Sequence, residues 1–263
     1  MLNLLFRTAN LSMELVRLLG GKFVPGHPMM QTPIGQTLVN VFQLHNSGRQ
    51  LEAHYELLRL EFFLRQLKDL ENGNPEALNV YKKEICRAGP TDGFFGIRFE
   101  VNIAASLARK GIRFLKQESP DFKLYGTRVA IECGSIRIRG TVPKADYTYK
   151  IGSCIREKEK RTYSNAETAL FIDITNMVYT HNIQPNLPGK SEIQDAALKS
   201  ASQRSFGSFV MFNYLFNLDE YSIHSVYIRA DYPCIGSELK AFMDLHFPFG
   251  NEYIPHVVFP AEG

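Results

Sequence analysis

The chain has 263 residues, of which 44% are hydrophobic and 22% charged, and a formal net charge of +3. This is the composition of a soluble globular protein, with enough chain for one large domain or two small ones and no apolar run that approaches a membrane span. The mild positive charge permits nucleic-acid binding without requiring it, because local clustering is what matters.

The first twenty residues carry Arg7 and polar breaks among apolar positions at helical spacing, so they read as an amphipathic helix and not as a signal peptide. Within residues 3 to 19, Leu5, Leu11, Leu15 and Leu18 or Leu19 fall near one stripe, and Gly20-Gly21 is the stop. Val24-Pro25-Gly26-His27-Pro28 reads as irregular chain. Helical periodicity returns from Thr37 to Leu70, with Leu51, Tyr55, Leu58, Phe62 and Leu67 on one face and a break at Asn46-Ser47-Gly48. Asn72-Gly73-Asn74-Pro75 ends it, and Glu76 to Cys86 form one more helix. Residues 1–90 are therefore expected to be a helical region without chemistry of its own. His45 and His54 are too isolated to suggest a metal pair. The N-terminal helices could join two copies of the chain in a homo-oligomer.

Arg87 to Gly93 is rich in turn residues and marks a boundary, with residues 91–263 as an α/β domain. Phe95 to Lys110 predicts a helix that buries Ile97, Val101, Ala104, Ala105 and Ala108, with Glu100 at the edge of that stripe. Three strand-like runs follow, Ile112–Glu118, Phe122–Tyr125 and Thr127–Arg139, the last two joined by a tight turn at Tyr125-Gly126-Thr127. In the third run Ala130, Glu132, Gly134, Ile136 and Ile138 share one face by the period-two rule. Glu132 thus sits in apolar company, and a buried carboxylate calls for a metal ion or a basic partner. The hairpin would also bring Asp121 beside Glu132.

Ala145 to Arg161 predicts a helix with Ile151 and Ile155 inside and the charge run Arg156 to Arg161 as a solvated face. Ala169 to Thr175 is an almost continuous apolar strand of the kind that lies in mid-sheet. Asn176 to Lys190 reads as a long loop, Ser191 to Arg204 and Ser237 to Leu245 as helices, and Gly207–Phe216 and His224–Ala230 as strands. The aromatic residues Phe206, Phe209, Phe212, Tyr214 and Phe216 read as core, with base stacking as the alternative. Cys86, Cys133, Cys154 and Cys234 contain no CxxC pair, which argues against a zinc ribbon or disulfide scaffold and fits a reducing cytoplasm. No Walker loop, dinucleotide glycine fingerprint or Ser/His/Asp context is present.

The order helix, strand, strand, strand, helix, strand, carrying Glu100, Pro120-Asp121 and Ile131-Glu132-Cys133, resembles the PD-(D/E)XK nuclease superfamily over residues 94 to 175. The resemblance implies a restriction-endonuclease-like three-layer α/β core with a mixed central sheet. It further implies hydrolysis of phosphodiester bonds in DNA or RNA with Mg²⁺ or Mn²⁺. Asp121 and Glu132 would hold the metal together with the main-chain carbonyl of Cys133, and Glu100 would assist. The family's triplet lysine falls on Gly134. Lys150, four residues before Cys154, and Lys123, two after Asp121, are the expected substitutes. Arg137, Arg139 and Lys144 are candidates for phosphate contact. The alternative is a degenerate module of the same fold that binds nucleic acid or protein without cutting.

Overall fold

The computed structural model describes residues 2–89, 93–136, 145–175, 206–250 and 253–257. It is a mixed α/β structure in which the chain forms two compact units. The first comprises residues 1–113, 216–224 and 255–263, the second residues 114–215 and 225–254.

Five helices make up most of the first unit: α1 Leu2–Leu19, α2 Pro33–Asn46, α3 Gln50–Gly73, α4 Pro75–Arg87 and α5 Gly93–Arg109. Their starts are written in the sequence. The Thr32 hydroxyl accepts from the Gly35 N–H at 3.3 Å and the Asn74 side chain from the Ala77 N–H at 3.1 Å, each ahead of a first-turn proline. Gly48, at φ 78, makes the turn between α2 and α3. The buried stripe of α1 is Leu4, Leu11, Leu15, Leu18 and Leu19. Leu5 is 40% exposed, because six residues before Leu11 is about 120° around a 3.6-residue helix, off the buried stripe. Leu51 is exposed for a related reason: it stands in the first turn of α3, ahead of the buried run Ala53, Leu57, Leu60, Leu64 and Leu67.

The sequence boundary at residue 91 placed α5 with the α/β part, but α5 belongs to the helical unit. Its Asn102 accepts a buried hydrogen bond from Gln66 of α3. Gly73 lets the two helices close, since a Cβ there would lie 2.9 Å from Ala108 Cβ. Arg7 adds a polar tie to the same unit. It binds Glu61 through two nitrogens and lies 3.9 Å above the Tyr221 ring, whose hydroxyl also donates to Glu61 at 2.7 Å.

The sheet runs β1-β2-β3-β4-β5-β6-β7 in sequence order. Strands β1 Phe114–Lys116, β2 Phe122–Leu124 and β3 Ala130–Ser135 form an antiparallel meander, with Gly126 at φ 74 in the β2–β3 turn. Strand β4 Thr168–Asp173 is parallel to β3, and β5 Ser208–Asn217 is parallel to β4. A parallel pair needs a crossover, and α6 Ala145–Glu159 lies between β3 and β4 in the chain. Strands β6 Ser222–Asp231 and β7 Tyr253–Val257 and helix α7 Ser237–His246 complete the order.

Ile151 and Ile155 of α6 pack with Ile136, Leu170, Ile172 and Met211 in one core cluster, so the α6-facing side of β3 is the side of Glu132, Gly134 and Ile136. On the other side Phe171, Phe212, Tyr227 and Phe247 make an aromatic cluster with centroids 5.0 to 6.1 Å apart. The six residues of β4 are all buried, and the four in its middle, Ala169 to Ile172, form the apolar run of a strand covered on both faces. Phe206, Phe209, Phe212 and Tyr214 are buried, in keeping with core packing rather than base stacking. The expected loop at 176–190 and helix at 191–204 lie outside the described residues. Among the described residues no helix is long and apolar enough to cross a membrane.

Candidate active site

Asp121 precedes β2, and its carboxylate turns onto the backbone of the neighbouring strand: Oδ2 accepts from the Cys133 N–H at 2.7 Å. Oδ1 accepts from Lys116 Nζ at 3.0 Å. One strand over, Glu132 projects from β3 toward α6, where Lys158 Nζ donates to its Oε1. Both carboxylates are withdrawn from water, with residue exposures of 5% for Asp121 and 3% for Glu132. Glu132 Oε2 is buried and has no hydrogen-bond partner.

The electrostatics follow from this crowding. Burial pushes the Glu132 carboxyl above the usual glutamate range and the nearby Asp121 charge pushes it further, against the opposing pull of Lys158 and the Tyr163 hydroxyl. Burial works against the charge of Lys158, but its hydrogen bond to Glu132 and the attraction of both carboxylates outweigh that cost and raise its pKa. Burial and then the neighbouring Glu132 raise Tyr163 as well. The Cys154 thiol is pushed up to about 11, chiefly by burial, so it is a small apolar filler and not a nucleophile.

Asp121 and Glu132 thus come together as the sequence indicates, while the lysine is neither of those expected. Lys123 is exposed. The i, i+2 rule that aligned it with Asp121 does not apply, because Asp121 stands outside the strand and is folded back onto β3. Lys150 is half-buried on α6, two turns before the lysine that meets Glu132. That lysine is Lys158, which the sequence placed on a solvated face. A Cβ built on Gly134 would lie 3.5 Å from Cys154 Sγ and 4.0 Å from Lys158 Cε. The Lys158 stem therefore fills the space beside Gly134.

Lys116 was not anticipated either. Both lysines follow one signal: a cation at a position whose spacing faces the core. Lys158 falls seven residues after Ile151 and three after Ile155, and Lys116 two after buried Phe114. Glu100 is half-buried on α5 and belongs to the first unit. Arg137, Arg139 and Lys144 lie outside the described residues.

Among the described residues no group of three or more His, Cys, Asp and Glu side chains is placed to hold a metal. The donors that remain are the two carboxylates and main chain. Their chemistry fits a small hard cation, which prefers oxygen ligands and retains several waters. The buried, unpartnered Glu132 Oε2 is an atom such an ion would satisfy. The N–H and C=O of one strand residue point to the same side, so the Cys133 carbonyl faces the side on which Asp121 receives its N–H. No known protein family, curated protein or solved structure matches this chain.

Proposed function

We propose that this chain is a divalent-metal-dependent nuclease of the PD-(D/E)XK type, acting on phosphodiester bonds of DNA or RNA. The observation that carries the reading is the ammonium of Lys158 on Glu132, reaching it past Gly134. The lysine of the acidic-X-lysine triplet is supplied from the crossover helix. The order α5, β1, β2, β3, α6, β4, with an antiparallel meander followed by a parallel strand, supports a restriction-endonuclease-like core.

In this reading Asp121, Glu132 through Oε2, and the Cys133 carbonyl would hold Mg²⁺ or Mn²⁺. When bound, the ion polarises the phosphate and stabilises the leaving oxygen. The chain's own residues supply the rest. The Cys133 N–H fixes the orientation of Asp121. Lys158 opposes the burial that pushes the Glu132 carboxyl up, and places an ammonium where a water attacking the phosphate can be oriented. The Tyr163 hydroxyl, held protonated by burial, is a neutral donor beside Glu132.

One observation favours the rival, a degenerate module that binds without cutting: Lys116 and Lys158 already balance the two carboxylates. Cleavage assays separate the two readings, using single- and double-stranded DNA and RNA with Mg²⁺ or Mn²⁺ and comparing wild type with Asp121→Ala, Glu132→Ala and Lys158→Met. Metal-dependent cleavage that all three substitutions abolish is the expected result. Wild-type inertness on every substrate, or activity retained in Asp121→Ala and Glu132→Ala, would overturn the nuclease.

A further inference from the structure

Lys116 is the last residue of β1, and its side chain is 5% exposed. Its Nζ donates to Asp121 Oδ1 at 3.0 Å and to the Gln117 carbonyl at 3.1 Å, and it lies 5.8 Å from the centre of the Phe122 ring. In the β1–β2 ladder Lys116 stands opposite Phe122, so the connection between the strands returns Asp121 to within reach of the ammonium. An ammonium so withdrawn from water is tolerated only because a carboxylate answers it.

The four carboxylate oxygens are held differently. Asp121 Oδ2 is anchored to the Cys133 N–H and Glu132 Oε1 to Lys158, whereas Glu132 Oε2 has no hydrogen-bond partner. A cation held by both carboxylates would find Glu132 Oε2 open, whereas each Asp121 oxygen already accepts one hydrogen bond, Oδ2 from the Cys133 N–H and Oδ1 from Lys116 Nζ. Of these two donors only the Lys116 ammonium can withdraw without moving the backbone.

We infer that Lys116 is a resident counter-cation that competes with the divalent ion for Asp121. It occupies Oδ1 in the ion-free protein and yields that oxygen when the ion binds, which keeps the site's affinity for free metal low. The inference rests on the metal-dependent reading of the site. The physical basis is charge: with both lysines in place the cluster is neutral, and without Lys116 it carries a net negative charge that attracts a divalent cation.

The test is direct Mn²⁺ binding to the full chain, followed by electron paramagnetic resonance without nucleic acid. The proteins compared are wild type, Lys116→Met, Lys116→Arg and Asp121→Asn. Lys116→Met, which keeps the apolar stem and removes the charge, is expected to bind Mn²⁺ about tenfold or more tightly than wild type. Lys116→Arg is expected to bind no more tightly than wild type. If Lys116→Met proves poorly stable, the same contrast is read from thermal unfolding, in which millimolar Mn²⁺ should stabilise it more than it stabilises wild type. Lys116→Met binding no better than wild type overturns the competitor role. If Asp121→Asn nonetheless abolishes Mn²⁺ binding, the metal site survives and only the role of Lys116 is lost. If wild-type binding is indifferent to Asp121→Asn, or no protein binds Mn²⁺, both fall.

Discussion

Replacing Lys158 with methionine isolates the electrostatic work of the lysine, because methionine keeps an unbranched stem against Gly134 and Cys154 and deletes the ammonium. What it leaves is a glutamate whose side chain is 4% exposed, with Asp121 close enough to raise its pKa and no cation on Oε1. Breaking a fully buried ion pair from one side costs about 3 to 5 kcal/mol. Lys158 retains 29% exposure, so part of its attraction is screened and the expected loss in metal-free buffer at neutral pH is about 2 to 3 kcal/mol. Uptake of a proton by the stranded carboxyl limits the loss further, at about 1.4 kcal/mol per pKa unit. The assay is a double-mutant cycle by denaturant unfolding with Glu132→Gln. In the glutamine background the lysine has no carboxylate to neutralise, and Lys158→Met should then cost under about 1 kcal/mol, giving a coupling of roughly 2 kcal/mol. A loss below about 0.5 kcal/mol in wild type, or an equal loss in both backgrounds, would refute the pairing of Lys158 with Glu132.

The raised pKa of Glu132 has a signed consequence for pH dependence. Its carboxyl binds a proton more tightly in the folded chain than at its ordinary 4.5, so the stability it confers below 4.5 is lost as pH rises through the higher folded value. The stability of Glu132→Gln relative to wild type should therefore increase across that window in pH-resolved unfolding. Gly207→Ala should destabilise by about 3 kcal/mol, because the new Cβ would lie 2.0 Å from the Ala166 carbonyl oxygen and the backbone must move. Arg229→Leu should cost about 3 kcal/mol in thermal or denaturant unfolding, since Arg229 is fully buried and holds Asp231, Asp244 and the Phe247 carbonyl together.

What the sequence made legible is what local rules control. Prolines and glycines marked the breaks between helices, and period-two alternation put Glu132, Gly134 and Ile136 on one face of β3. The four consecutive apolar residues of β4, Ala169 to Ile172, announced a strand covered on both sides. Asp121 and Glu132 met because a short hairpin leaves them little alternative. Lys158 was missed because the run from Arg156 to Arg161 was read as a block of charge, although the Ile151 and Ile155 stripe singles out Lys158 from its neighbours. The α5 grouping was missed for a different reason. Turn residues mark where the chain bends, but which neighbours a helix packs against is decided by side chains far away in sequence, here Gln66 and Gly73 of α3.

If Lys158 replaces the missing triplet lysine, moving the lysine back should be possible. Gly134 does not occupy left-handed backbone, and a Cβ there meets Cys154 Sγ at 3.5 Å and Ile172 at 3.9 Å, both ordinary contacts. Gly134→Ala should accordingly change stability by less than about 1 kcal/mol. A lysine at 134 is another matter while Lys158 is present, because the two stems would share one space and the two ammonium groups one carboxylate oxygen. Gly134→Lys alone should be destabilising for that reason. Shortening Lys158 to alanine empties the space, and Gly134→Lys combined with Lys158→Ala should regain about half or more of the roughly 2 kcal/mol that Lys158→Ala loses, with Gly134→Ala combined with Lys158→Ala as the control that regains nothing. If the protein is the nuclease proposed, metal-dependent cleavage should return with the same pairing and not with the control. A double variant no more stable than that control would mean that the position of the ammonium on α6, and not its presence at Glu132, is what the site requires.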